Sequence, residues 1–240
     1  MIGKADLKVR LYVVAIALMP IVEAGLSASA QATADKQAEA QTVTPQRTGH
    51  LFPPENLGLL ESPDRAAWQK PDQIMDALSI AEGSKVADIG PGAGWFTMQL
   101  ARRVGPNGHV YAEDVQRPML EAIRRRVGRE GLQNVEPRLG TETDPNLPPG
   151  ALDAALMVDM YQEIGERVTF LRNLSRALKL NGRIGIVNYK PGQGGPGPSS
   201  NANEGVRVDA SAVEADARAA GLRVLARENL PFQYLIVLGK

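Results

Sequence analysis

Asp88-Ile89-Gly90-Pro91-Gly92-Ala93-Gly94 sets a carboxylate and three alternate glycines at the end of a β-prone run, Lys85-Val86-Ala87-Asp88-Ile89. Glycines at such a place leave backbone bare of side chains at the carboxyl edge of a sheet, beside a helix N-terminus, where a flat or extended cofactor can come close. A second carboxylate, Asp114, stands 24 positions beyond Gly90 at the end of the next β-prone run. There it suits hydrogen bonds from two ribose hydroxyls. Each feature also has a plain structural reading, the glycines as tight-turn residues and Asp114 as a cap for the helix beginning near Pro118. Found together inside a strand, helix, strand pattern, they point to a nucleoside-bearing cofactor.

A third group, Asp159-Met160-Tyr161-Gln162-Glu163, follows the apolar run Leu152 to Val158. Side chains at that sheet edge face the crevice where strand order reverses, so Asp159, Tyr161 and Gln162 are the candidate catalytic residues. Gln162 cannot act as a general base at neutral pH, and Glu163 reads better as a first-turn acid favoured by a helix dipole. Much other chemistry lacks its residues. There is no Cys, and the two histidines, His50 and His109, are far apart, which removes the usual zinc ligands, thiol nucleophiles and His-based triads. Neither a G-x-S-x-G elbow nor a G-x-x-x-x-G-K-[ST] phosphate loop occurs. Lys and Arg total 27 against 27 Asp and Glu, so no basic excess favours nucleic acid. The run Arg124-Arg125-Arg126 reads as a solvated helix face with Glu121 and Glu130 near enough to neutralise part of it. No metal is expected.

These residues need an alternating scaffold, and the chain of 240 residues, 43% hydrophobic, supplies the pattern of one large domain. Residues 1–30 have the layout of a secretory signal: Lys4, Lys8 and Arg10, an apolar run Leu11 to Val22, then Ala28-Ser29-Ala30. The apolar run is too short to span a bilayer, so cleavage before Gln31 and a periplasmic location are expected, with tethering by an uncleaved signal as the alternative. Residues 31–49 read as a disordered linker and 50–240 as the domain. Short helices punctuated by Pro53, Pro63 and Pro71 precede strand Lys85 to Ile89. A helix through Arg103, strand His109 to Asp114, helix Pro118 to Arg129, and strands Val135 to Leu139 and Leu152 to Val158 come next. Helix Arg167 to Leu180 is expected to stop at a left-handed Asn181-Gly182, before strand Arg183 to Tyr189. Pro191 to Gly205 reads as a long mobile loop, and helix Ala210 to Ala220 leads to strands Leu222 to Asn229 and Phe232 to Leu238. The alternation predicts an α/β fold, a mostly parallel sheet with helices on both faces. The short Leu230-Pro231 link makes the last two strands antiparallel.

Val86 to Thr97, VADIGPGAGWFT, resembles the first motif of the class I S-adenosylmethionine-dependent methyltransferases, D-x-G-x-G-x-G. Val110 to Val115, Leu152 to Asp159 and Leu174 to Ile186 are similar, in order, to the family's second, fourth and fifth strands. The preamble Leu51 to Pro71 and Gly140-Thr141-Glu142-Thr143-Asp144 resemble small exported bacterial methyltransferase-like proteins. The resemblance implies a Rossmann-like class I methyltransferase fold, seven strands with the last antiparallel, and S-adenosyl-L-methionine as cofactor. By the same resemblance Asp88 would orient the methionine part, Gly90, Pro91 and Gly92 would form the cradle, Asp114 would hold the ribose, and Val115 would lie against adenine. Thr141 and Glu142 stand where many members carry an acid for the adenine amino group. Asp159 would face the transferred methyl, and Gln162 occupies a place where the related pattern has His. The implied partner is a small-molecule or protein methyl acceptor, with no nucleic acid and no stable membrane span after signal cleavage. A second reading is a non-catalytic methyltransferase-fold protein that binds a nucleoside-like ligand or a partner outside the cytoplasm. A nicotinamide oxidoreductase fits Asp114 but not the glycine spacing. Trp68 is either part of a lid or an anchor for the N-terminal helices, whereas Trp95 and Phe96 read as packing residues.

Overall fold

The computed structural model describes residues 51–192, 194–196 and 207–240. The expected signal and linker, and most of the expected Pro191 to Gly205 loop, lie outside the described residues. The described chain opens with a 3-10 helix, Pro54–Leu60, and two short helices, α1 (Arg65–Gln69) and α2 (Pro71–Ala77). The alternating part runs β1 (Lys85–Ile89), α3 (Trp95–Val104), β2 (His109–Asp114), α4 (Arg117–Glu130), β3 (Val135–Leu139) and β4 (Leu152–Val158). A 3-10 turn (Tyr161–Glu163), α5 (Arg167–Ala177), β5 (Leu178–Tyr189), α6 (Ala210–Ala219), β6 (Arg223–Asn229) and β7 (Gln233–Gly239) complete it.

The seven strands form one sheet in the order β3-β2-β1-β4-β5-β7-β6. Strands β1 to β5 pair in parallel, and β7 inserts antiparallel between β5 and β6. Parallel strands covered on both faces need apolar residues on both sides, and β7, Gln233-Tyr234-Leu235-Ile236-Val237-Leu238-Gly239, is buried at every position. Two apolar layers result. Ile89, Met157 and Ile236 face Phe170, Leu174 and Val213 of α5 and α6. On the other side Val86, Leu156 and Val237 face Ile74 of α2, Leu78 just after it and Phe96 of α3. No described helix is long and apolar enough to cross a membrane.

One boundary differs from expectation. Helix α5 ends at Ala177, and Asn181-Gly182 lies inside β5 rather than in a left-handed stop. Leu178 already pairs with Leu152 of β4, and a Cβ on Gly182 would meet the Leu152 carbonyl at 2.8 Å. That Cβ would also meet Leu178 Cβ at 3.0 Å and the Lys179 carbonyl at 3.1 Å, and the β4–β5 register shifts here, so the glycine serves a tight bulge within β5.

Candidate functional site

The chain leaves β1 toward α3 on one face and β4 toward α5 on the other, which opens a crevice at their carboxyl ends. A cavity fills it. Its floor is the glycine loop, where Gly90, Gly92 and Gly94 have φ of 64°, 54° and 82°, a region L side chains rarely adopt. A Cβ on Gly90 would touch the Met160 side chain at 3.0 Å, and one on Gly92 would meet Leu60 Cδ1 at 2.8 Å. The loop is tied to β2 by the Gly90 N–H, which donates to the Glu113 carbonyl at 2.9 Å.

Seven of the expected cofactor residues, Gly90, Pro91, Gly92, Asp114, Val115, Thr141 and Glu142, line this one cavity. Asp114 lines the cavity, and its Oδ1 accepts the Gln116 N–H at 2.8 Å just ahead of α4, whose N-cap position is Gln116 itself. Thr141 heads a turn in which its N–H donates to the Asp144 carbonyl at 2.8 Å. Asp88 is the exception among the cofactor residues. It is buried beneath the loop, accepts the Thr97 hydroxyl at 2.6 Å, and does not line the cavity. Burial pushes its carboxyl up to about 6, against the pull of Thr97 and of Arg65.

Among the catalytic candidates only Asp159 reaches the cavity. It has φ of 55°, one of four left-handed non-glycine residues described, and sits directly after β4. Short polar side chains tolerate that conformation best, and such strain gathers at functional sites. Gln233 Nε2 donates to its Oδ2 at 2.7 Å, while Oδ1 is buried without a protein partner. Burial raises the Asp159 carboxyl to about 7, the Gln233 hydrogen bond and the Arg65 charge opposing it.

Tyr161 and Gln162 are corrected by the structure. The left-handed turn at Asp159 sends Tyr161 down into the core, where its hydroxyl donates to Asp216 Oδ2 at 2.9 Å. Burial, with the Asp216 charge behind it, pushes that phenol well above its ordinary range. Gln162 Nε2 donates to the Asp159 carbonyl, so its amide braces the turn instead of facing the crevice. Glu163, read above as a first-turn acid, does line the cavity.

The N-terminal segment forms the roof, through Leu51, Phe52, Leu60 and Arg65. Arg65 lies 4.6 Å from the Trp95 ring centre, and its Nη1 donates to the Leu60 carbonyl at 2.9 Å. Trp68 anchors the same segment, stacking on Tyr189 at 6.2 Å and meeting Phe232 edge-on at 6.4 Å. Phe96 is buried in the core and Trp95 packs beside it, as expected. Sequence reading missed Arg65 and Gln233. It also missed Glu113, which is buried in the cavity wall with Oε1 unpartnered and is held far above the carboxylate range by burial and then by Asp114 and Asp144. A signal existed for Gln233, a lone polar residue opening an otherwise apolar strand.

Comparison with known proteins agrees with this geometry. Residues 86–182 match the family described as a methyltransferase domain. The chain is 30% identical over 122 residues to the nocamycin O-methyltransferase of Saccharothrix syringae, covering 50% of this chain and 42% of that one. It is 28% identical over 118 residues to the demethylmenaquinone methyltransferase of Anoxybacillus flavithermus, covering 49% of each. The matched stretch thus spans about half the length of these curated relatives. A solved structure of a SAM-dependent methyltransferase from Aquifex aeolicus superposes with a TM-score of 0.70 at 27% identity, over 78% of this chain and 98% of the other.

Proposed function

We propose that the chain is a class I S-adenosylmethionine-dependent methyltransferase that transfers a methyl group to a small-molecule or protein acceptor admitted beside Glu163 and Phe170. The observation that carries this reading is the convergence of Gly90, Pro91, Gly92, Asp114, Val115, Thr141 and Glu142 on one cavity. A bare-backbone cradle that a Cβ would fill and a buried carboxylate oxygen without a partner fit an extended, cationic nucleoside. The cofactor, when bound, supplies a methyl group already activated on a sulfonium, so the protein chiefly aligns, desolvates and manages protons.

Asp114 would accept from the ribose hydroxyls, Val115 and Met119 would offer an apolar face to the base, and Gly90 to Gly92 would let the backbone lie against the ligand, a reading supported by their shared cavity. Roof residues Phe52 and Leu60 exclude water. With Tyr161 and Gln162 turned away, any proton leaving the acceptor has Asp159 and Glu163 as its receivers, and Asp159, raised to about 7, is well placed for a base near neutral pH.

Titration calorimetry of the full chain with S-adenosylmethionine and S-adenosylhomocysteine tests the reading. Binding by the wild type and a loss of about tenfold or more in Asp114→Ala are expected. A wild type that binds neither ligand sinks it. The layout of residues 1–30 supports a further part of the proposal, export to the periplasm with cleavage before Gln31. N-terminal sequencing of the periplasmic fraction should begin at Gln31, and a chain found only with its first residues intact rejects cleavage.

A further inference from the structure

The arginines of α4 are expected from sequence to be partly neutralised by Glu121 and Glu130, and the structure distributes these charges otherwise. Glu130 pairs with Arg102 of α3, and Arg126 pairs with Glu61 of the N-terminal segment. Among the described residues, Arg117, Arg124, Arg125 and Arg129 are exposed and make no ion pair, and neither does Glu121. Positions 117, 124, 125 and 129 fall on one side of a helix, opposite the buried Met119, Leu120 and Ile123, so four guanidinium groups share the solvent face of α4. Cations on neighbouring surfaces are answered by acids, Arg103 by Asp76, Arg138 by Glu136 and Arg227 by Glu214. The excess on α4 is local, because the whole chain carries 27 basic and 27 acidic side chains.

Apolar side chains border this face. The 3-10 helix of the N-terminal segment lies beside α4, and its Leu57 and Gly58 line one shallow depression with Ala122, Arg125 and Arg129. Leu59, the next residue, is 59% exposed. Glu55 and Glu121 are the exposed acids of these two elements without an ion pair among the described residues, two against four arginines. An exposed leucine alone is ordinary, but a leucine beside unpaired guanidinium groups matches a surface that is anionic and apolar at once. A bilayer with anionic headgroups is such a surface: its phosphates suit the arginines, and its acyl boundary suits Leu59. The backbone of a nucleic acid would take the arginines and leave Leu59 in water.

We propose that α4 and the 3-10 helix form a docking surface for membranes of anionic phospholipid, with Arg117, Arg124, Arg125 and Arg129 on the headgroup phosphates and Leu59 at the acyl boundary. The contact is with the membrane surface and needs no spanning helix. It is independent of the cofactor reading, since none of these five residues lines the cavity. The N-terminal segment also carries Phe52 and Leu60 of the cavity roof, so the docked face adjoins the cavity. Attraction between exposed arginines and headgroups is screened by salt, which makes docking depend on ionic strength, whereas the part due to Leu59 does not.

The test is co-sedimentation of the full chain with vesicles of phosphatidylcholine alone and of phosphatidylcholine mixed with phosphatidylglycerol. The wild type is expected to bind the mixed vesicles tighter by about tenfold or more, with the preference fading as salt rises. Arg124→Gln, Arg125→Gln and Arg129→Gln combined should lose most of that preference. Leu59→Gln should weaken binding to the mixed vesicles several-fold while the salt dependence persists. Lys4, Lys8, Arg10 and the apolar run Leu11 to Val22 are present in every variant, so a loss on substitution reports the α4 face and not the N-terminus. The substituted positions are exposed, and an unchanged melting temperature by circular dichroism shows that each variant keeps its fold. A wild type without preference, or a triple variant that retains it, overturns the proposal. A Leu59→Gln chain that binds as the wild type does overturns the membrane reading, and duplex DNA that then displaces the chain from vesicles marks the face as one for nucleic acid.

Discussion

Gly92 and Gly94 share a left-handed backbone but meet different neighbours, and replacing them should fail differently. A Cβ on Gly94 would stand 2.5 Å from Ile123 Cδ1, inside the packing between the loop and α4. Gly94→Ala is expected to lower stability by about 1–3 kcal/mol in urea unfolding, through strain and overpacking. On Gly92 the obstacle is Leu60, a flexible side chain in the cavity roof. Gly92→Ala should therefore weaken S-adenosylhomocysteine binding in calorimetry more than it weakens the fold. Tyr161→Phe removes a hydroxyl that ties the 3-10 turn to Asp216, and should cost about 1 kcal/mol of stability while leaving ligand affinity unchanged. Asp114 and the glycines were legible in the sequence because their spacing within one strand, loop and helix unit fixes their geometry. Tyr161 was not, since one left-handed residue, Asp159, decides which way the following side chains point. Gln69 and Gln233 were not either, because 164 positions separate them and only the finished sheet brings them together.

The segment from Leu51 to Arg65 lies across the cavity as a strap with fasteners at several points. The Phe52 carbonyl accepts from Gln116 Nε2 at 3.2 Å, two positions beyond Asp114. Arg126 pairs with Glu61 and also donates to the Ala93 carbonyl at 2.9 Å, joining strap, glycine loop and α4. Arg126→Ala unfastens the middle of the strap. S-adenosylhomocysteine should then dissociate several-fold faster in stopped-flow measurements, and limited proteolysis should cut more readily between residues 51 and 65. The boundaries of β1 to β4 could be read from sequence because each ends in a glycine, an acid or a turn. The start of β5 could not be. Asn181-Gly182 carries the composition of a turn and sits where the β4–β5 register shifts, so the chain makes its tight bulge inside the strand and not ahead of it.

At the scale of the molecule, the buried carboxyls make stability depend on pH in an unusual direction. Asp88 and Asp159 are raised to about 6 and about 7, and Glu113 is raised as well, so between about pH 4 and 7 the folded chain holds protons that the unfolded chain has released. Their contribution is full below the ordinary carboxylate range and is lost as pH rises through the folded values. Without ligand, the protein should therefore melt at a lower temperature at pH 8 than at pH 5.5, an effect on the order of a few kcal/mol. Differential scanning calorimetry at the two pH values checks this. The contact between Gln69 and Gln233 also sets an order of events during synthesis. A growing chain carries the glycine loop and the strap long before it carries β7. The buried amide of Gln69 therefore waits for its partner until the last strand slides between β5 and β6, and the strap is pinned to the sheet only when synthesis is complete.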